Sequence, residues 1–290
     1  MQTLRKHNTG IQHLQWSEDG LYLFSSGGFE EFYIWRICHD VPYIGVGVVC
    51  ESKHPSSGTS DLRIMGFDVH EHTTNERSFE VCMAYSDSSL KTWRYEAGTW
   101  EMLASGDYLT ACLTNAISMD TEKDGSKQAR LLTTATDGHL ALWEQTRETL
   151  VWQERRKVHQ NAMLDTVDQP LADESRLVFT AGDDNGIGIT RIGAQGVTSV
   201  LLISRAHAAA VTALAVKRVA ESTFWLVSAS IDQRVKLWEV EAVEGMMVRK
   251  MHSAFTSVAD ISSASLIRLQ DEGTGVLICG VGMDVWRLPG

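Results

Sequence analysis

The sequence is poor in proline. It has four in 290 residues, and none falls in the short alternating runs described below. Proline lacks the N–H that a strand gives to its neighbour, so those runs are free to pair on both edges. The five cysteines, Cys38, Cys50, Cys82, Cys112 and Cys279, are odd in number and include no C-x-x-C pair. That speaks against a disulfide framework and against a zinc ribbon. Cys82, Cys112 and Cys279 sit in apolar, strand-like runs and read as small buried hydrophobes of a reducing compartment. No run of about 18 apolar residues is present, so no membrane insertion is expected. Met1 to Lys6 contains no apolar signal core, and a cytoplasmic location is expected. Basic residues are outnumbered, 26 Lys plus Arg against 37 Asp plus Glu, for a formal charge of −11. Such a chain is unsuited to gripping nucleic acid over a broad surface of its own, although one local patch could contribute to a shared site. With 43% hydrophobic residues and nine Trp, the chain has ample material for a folded core.

What the chain does have is a repeat. A Trp closes a short apolar-alternating run at Trp35, Trp93, Trp143, Trp238 and Trp286, with one double-length gap between Trp143 and Trp238. The middle of that gap, Gly186 to Arg191, carries a degraded copy with Thr190 in the Trp position. The best copy runs from His207 to Trp238 and predicts strands over Val211–Val216, Phe224–Ser230 and Val235–Val240, with a fourth around Met246–Met251. Each run alternates or is β-branched and is too short for a helix. Asp-Gly at 19–20 and 137–138 supplies the positive φ that tight turns need. In Val235-Lys236-Leu237-Trp238, large side chains point to both faces, so each sheet needs a neighbour on both sides. Radial stacking of four-stranded sheets meets that need, and the expected fold is an all-β propeller. We expect a single domain over residues 1–290 with six units at about 7–51, 62–104, 110–157, 159–205, 207–252 and 255–290. The sixth unit is expected to lack a fourth strand. Residues 2–6 could supply it and close the ring, or the chain could be the C-terminal part of a longer protein whose preceding sequence adds a seventh blade.

His207, Ser228 and Asp232 with Trp238 have the residue types of a hydrolytic constellation. They also resemble the tetrad with which WD repeats lock a blade, where Asp holds His, His meets Ser, and Ser takes the indole N–H. The same offsets from Trp143 give Thr133 and Asp137, and from Thr190 give Thr180 and Asp184, with His159 upstream. His7 and Ser25 precede Trp35, with Phe29 and Glu30 in the Asp region. A catalytic triad would not be copied in degraded form, so the architectural reading is preferred. Gly182 to Gly188 superficially resembles a phosphate loop, but it carries Asp183 and Asp184, no Lys follows, and no helix is predicted. His70-Glu71-His72 lacks a third ligand at matching spacing and reads as a solvated edge rather than a metal site. Arg155-Arg156-Lys157, with Arg147 nearby, reads as a solvated face, with contact to phosphate or an acidic partner as the alternative. Asp120 to Lys127 reads as a polar hairpin loop. No nucleophile elbow, P-loop or methyl-donor glycine loop is found, which favours a binding platform without a cofactor over an enzyme.

Two stretches are more specific. One is His7-Asn8-Thr9-Gly10-Ile11-Gln12, continuing through Trp16-Ser17-Glu18-Asp19-Gly20 to Ser25–Phe32. The other joins Ala206-His207-Ala208 to Ser228–Arg234 and Val258–Ile261. Together they resemble the C-terminal region of the large WD-repeat regulatory subunit of the tRNA wobble-position 2′-O-ribose methyltransferase. The resemblance implies a non-catalytic subunit. A separate methyltransferase would carry the cofactor and the chemistry, and this chain would bind it and help place the tRNA so that ribose 34 is modified. Arg234 and the Phe29-Glu30-Glu31 turn, lying between second and third strands, are candidate interface residues, together with Arg155, Arg156 and Lys157. A general WD40 interaction scaffold in signalling or trafficking is the alternative. An enzyme built on a propeller channel is disfavoured because the sequence offers no matching polar cluster.

Overall fold

The computed structural model describes residues 3–58, 61–72, 78–123, 126–243 and 245–289, with the backbone alone at 72, 120–123 and 126–129. Its regular structure is entirely β, and the sheets follow sequence order. The first sheet is β1 (Ile11–Trp16), β2 (Tyr22–Gly27), β3 (Phe32–Val41) and β4 (Gly45–Lys53). Next come β5 (Ile64–His72), β6 (Ser78–Tyr85), β7 (Ser89–Glu96) and β8 (Thr99–Asp107), then β9 (Leu113–Lys123), β10 (Ser126–Ala135), β11 (His139–Thr146) and β12 (Thr149–Lys157). These two quartets are joined through one parallel bridge, Thr149 to Ser105. Gly106 allows it, because a Cβ there would strike the Leu150 carbonyl. The fourth sheet is β13 (Met163–Pro170), β14 (Arg176–Gly182), β15 (Ile187–Gly193) and β16 (Gly196–Ile203). The fifth is β17 (Val211–Ala220), β18 (Thr223–Ser230), β19 (Arg234–Glu241) and β20 (Met247–Phe255), and the last pairs β21 (Ala259–Arg268) with β22 (Thr274–Arg287). This is the strand pattern of a WD40-type β-propeller.

β22 is not one straight strand. Fourteen extended residues would span about 46 Å, yet Leu288 N–H donates to the Thr274 carbonyl at 2.9 Å. The Trp286 carbonyl likewise lies beside Gly275. The run therefore doubles back near Gly280 to Gly282, where Gly282 has φ +113. The last sheet thus has three extended segments, with Trp286 on the third. Of the closing-strand candidates at 2–6, Gln2 lies outside the described residues and Thr3 to Lys6 belong to no strand.

The chain divides into two compact units, residues 1–135 with 141–155, and residues 136–140 with 156–290. In the first, one core joins the first and second sheets through Phe24, Phe32, Ile34, Phe67, Phe79 and Tyr95. A second core joins the second and third through Leu90, Leu113, Leu131, Trp143 and Leu150. In the second unit, Phe179, Ile189, Phe224, Leu226 and Trp238 fill the space between the fourth and fifth sheets. Val227, Val235, Leu237, Ile261, Val276 and Ile278 fill that between the fifth and sixth. Trp238 and its neighbour Leu237 thus enter different cores, as strand alternation requires. Apolar side chains on both faces of one sheet are what make a lone sheet unstable and a stack stable.

Inner strands also clamp one another. The Asp68 carboxylate accepts Gln15 Nε2 at 2.9 Å from β1 and the Ser118 N–H at 2.8 Å from β9. In the second unit, half-buried Asp165 accepts the Leu214 N–H at 2.7 Å from β17 and its own neighbour Thr166 N–H at 2.8 Å. Burial pushes the Asp165 carboxyl up to about 6, against the lowering effect of those two N–H donors.

Candidate functional site

One turn recurs between the second and third strands of four sheets. Asp87, Asp137, Asp184 and Asp232 each stand six residues before Trp93, Trp143, Thr190 and Trp238. Each carboxylate accepts the N–H two residues on, from Ser89 (3.0 Å), His139 (3.1 Å), Gly186 (3.1 Å) and Arg234 (2.9 Å). The residue after each Asp has positive φ: Ser88, Gly138, Asn185 and Gln233. An Asp that bonds its own backbone is well suited to this turn.

In the fifth sheet the turn is extended into a chain of four side chains. Trp238 Nε1 donates to Ser228 Oγ at 2.8 Å, and Ser228 Oγ lies 2.9 Å from His207 Nε2. His207 Nδ1 stands 3.2 Å from both Asp232 oxygens, and Asp232 also accepts the Ala208 N–H at 2.9 Å. One proton arrangement satisfies every donor. The indole gives to Ser228, the Ser228 hydroxyl gives to Nε2, and Nδ1–H of a neutral imidazole gives to Asp232. Burial lowers the His207 pKa although Asp232 opposes it, which agrees with a neutral ring. Burial raises the Asp232 pKa, but the Ala208 N–H, His207 and the Arg234 N–H outweigh it and hold the carboxyl below its ordinary value. Ser228 is fully buried and His207 nearly so. The hydroxyl that would serve as nucleophile therefore has no access to a substrate.

The fourth sheet keeps three members. His159 bonds Asp184 at 2.8 Å and Thr180 at 2.9 Å, while Thr190 Oγ1 is buried with no partner. Gly182 and Gly188 are required here, because a Cβ at either would strike His159 or Thr180. The phosphate-like loop of 182–188 is thus the turn of this triad. In the first sheet His7 lies 2.7 Å from Ser25, which takes the Trp35 indole N–H at 2.8 Å. The acid there is Glu31, 3.3 Å from His7 Nδ1, accepting Asn8 N and Nδ2 at 2.9 and 2.6 Å. In the third sheet Trp143 donates to Thr133 at 2.8 Å. In the sixth, Asp284 accepts both Trp286 Nε1 and Thr256 Oγ1 at 2.9 Å.

The proposed interface residues have differing surroundings. Arg234 is exposed at the start of β19, and Phe29 is exposed at the tip of its turn. Glu30 and Glu31 are buried, each 1% accessible. Glu30 accepts the Ser57 N–H at 2.6 Å and stands 3.9 Å from Lys91 Nζ. Phe29 and Glu30 both have positive φ, 55° and 52°, which shifts the acid facing His7 to Glu31. Arg155 turns inward. Its Nε donates to Tyr108 OH at 2.9 Å, and its guanidinium lies 5.2 and 5.8 Å over the Tyr108 and Trp152 rings. Lys157 Nζ donates to the Asp137 carbonyl at 2.6 Å, while Arg156 is exposed.

Among the described residues no group of three His, Cys, Asp or Glu could hold a metal ion. The His72 side chain lies outside them, as do most of the Asp120 to Lys127 side chains. All five cysteines are free, and no helix among the described residues is long and apolar enough to cross a membrane. Sequence reasoning passed over Asp87, although the six-residue offset from Trp93 points to it. It also passed over the role of Glu31 and the clamping Asp68 and Asp165.

The family model "WD domain, G-beta repeat" (WD40) matches residues 1–29 and 197–239, which include the first-sheet His7–Ser25 pair and the whole fifth-sheet tetrad. No curated protein matches the chain. WD40 repeats indicate a platform for protein–protein interaction. With this match and four-stranded sheets repeating along the sequence, the fold is that of a WD40-type β-propeller.

Proposed function

We propose that the protein is a non-catalytic platform that binds a tRNA 2′-O-ribose methyltransferase and helps position tRNA for methylation of the wobble ribose, acting in the cytoplasm. The observation that carries the reading is the pair of stretches at 7–32 and 206–261, whose residues resemble the regulatory subunit of that enzyme. The chemistry of the side chains supports a role without catalysis. The Ser25, Thr180 and Ser228 hydroxyls are occupied by the His7, His159 and His207 imidazoles, in bonds that hold strands together. A rigid platform lowers the ordering cost of binding a partner. Holding a ribose against a methyl donor removes a large part of the entropic barrier to transfer. The net charge of −11 suits docking on a basic enzyme surface better than carrying RNA alone. Phe29, Arg156, Lys157 and Arg234 are the exposed members of the interface set.

Affinity purification of the tagged protein tests the reading. Recovery of a small ribose methyltransferase is the expected result. Recovery of signalling or trafficking components without it would favour the general scaffold instead.

A further inference from the structure

Several arginines of the second unit are neutralised by a carboxylate. Arg176 faces Asp168, Arg191 faces Asp173 at 2.6 Å, Arg249 faces Glu239 at 2.6 Å and Arg268 faces Glu272 at 3.0 Å. Arg205, Arg234, Lys236 and Lys250 are not. Among the described residues no carboxylate lies within ion-pair distance of any of them.

The unpaired cations share one corner of the junction between the fourth and fifth sheets, both of which are complete quartets. Trp238, Val240 and Val248 point from the fifth sheet into the core it shares with the fourth. Strand alternation puts Arg234 and Lys236 of β19 on that same side. Cross-strand pairing adds Lys250, opposite Trp238, and Phe255, opposite Arg234. From the fourth sheet, the chain leaves β16 and passes through Arg205 to Ala206, whose carbonyl accepts Lys236 Nζ. Lys236 is half-buried at the base of the corner, and Arg205, Arg234 and Lys250 are exposed around it. Phe255 is 63% exposed beside them.

The local charge is not answered from within the fold. Burial lowers the Lys236 pKa, and Lys250 and Arg234 add to the lowering, while Asp232 opposes it. Asp232 is already committed to His207 and to the N–H groups of Ala208 and Arg234. Like charges held together without a counter-ion repel, and a ligand that brings negative charge relieves the repulsion. Strand geometry sets the form of that ligand. Arg234 and Lys236 stand two residues apart, about 7 Å along β19, which is also the spacing of side chains on one face of an extended peptide. Phe255 offers an apolar contact at the end of the row. The net charge of −11 disfavours a long polyanion such as RNA, which carries a charge on every phosphate, and tolerates a short segment with few carboxylates.

We propose that this corner binds an extended acidic segment of a partner protein. Carboxylates at alternate positions of the segment meet Arg234 and Lys236, Arg205 and Lys250 flank them, and an apolar side chain of the segment covers Phe255. The site is separate from the methyltransferase reading and stands or falls without it.

The probe is a fluorescein-labelled peptide in which glutamate alternates with serine, and a leucine follows the last glutamate at the same spacing. Its anisotropy is followed as the full chain is added. The expected result is saturable binding that weakens steeply between about 0.1 and 1 M salt. The double variant Arg234→Gln, Lys250→Gln should weaken binding by about tenfold and leave the melting temperature unchanged, because both side chains are exposed and unpaired. Arg268→Gln, on the sixth sheet, should bind as the parent does. The proposal is overturned if the peptide does not bind, if the double variant binds as the parent does, or if a copy of the peptide with glutamine in place of glutamate binds equally well. It is also overturned if a uridine oligonucleotide of the same length binds more tightly than the peptide, which would make the corner a nucleic-acid site.

Discussion

Replacing Asp232 with Ala tests whether the fifth-sheet tetrad is structural. The substitution removes the acceptor for three donors: His207 Nδ1 at 3.2 Å, and the backbone N–H groups of Ala208 and Arg234 at 2.9 Å each. The two backbone donors lie near solvent and can turn to water, so their loss costs little. His207 is only 3% exposed, and its Nδ1–H would be left without a partner inside the fold. A buried donor in that state costs roughly 1–3 kcal/mol, which sets the expected loss at about 2 kcal/mol. For a cooperative unit of about 150–250 residues this lowers Tm by about 4–8 °C, and Asp232→Asn, which keeps one acceptor oxygen, should recover part of it. The pH profile adds a second signature. Folding holds the Asp232 pKa below its ordinary value, so its stabilisation is present above about pH 4 and is lost as pH falls through the folded pKa. Folding also lowers the His207 pKa, so stability declines as pH drops below about 6.5 and the unfolded ring takes up a proton that the folded ring refuses. Thermal and urea denaturation of the purified chain from pH 3 to 8 reads both. An unchanged midpoint in Asp232→Ala would refute the structural assignment.

Other substitutions probe the same logic. Thr190 is fully buried with an unpartnered hydroxyl, so Thr190→Val should raise stability by about 1 kcal/mol, and a destabilised variant would contradict the account. Asp165 is raised by burial to about 6, so the native fold loses stability as pH climbs from about 4 to 6. The stability difference between Asp165→Asn and the parent should therefore shift in the variant's favour by up to about 3 kcal/mol across that range. Parallel denaturation curves at pH 4 and 7 measure it, and a difference independent of pH would sink the assignment.

The repeat was legible because burial on both faces leaves a periodic mark. Val235-Lys236-Leu237-Trp238 alternates large residues, and its odd and even members do enter different cores. The strands around it extend further than their apolar runs. β17 continues to Ala220 and β20 to Phe255, because ladder bonds persist where side chains have become polar. The acid facing His7 was hidden by turn geometry. Two consecutive positive-φ residues move it to four residues before Trp35, and the longer Glu31 side chain spans the difference. Arg155 belonged to a run of three cations that reads as one charged face. Its guanidinium nonetheless lies over Tyr108 and Trp152, with Nε donating to Tyr108 OH, while Arg156 is exposed. Trp286 lies on the third segment of its sheet, but the tight reversal near Gly280 could not be read from an uninterrupted apolar run.

The platform reading meets its most direct test in the product of the reaction it is meant to serve. Mass spectrometry of tRNA from cells lacking the gene would quantify 2′-O-methylation at the wobble ribose. The account predicts that the modification is lost while the methyltransferase protein is still made. Methylation at the normal level in the deletion would contradict it.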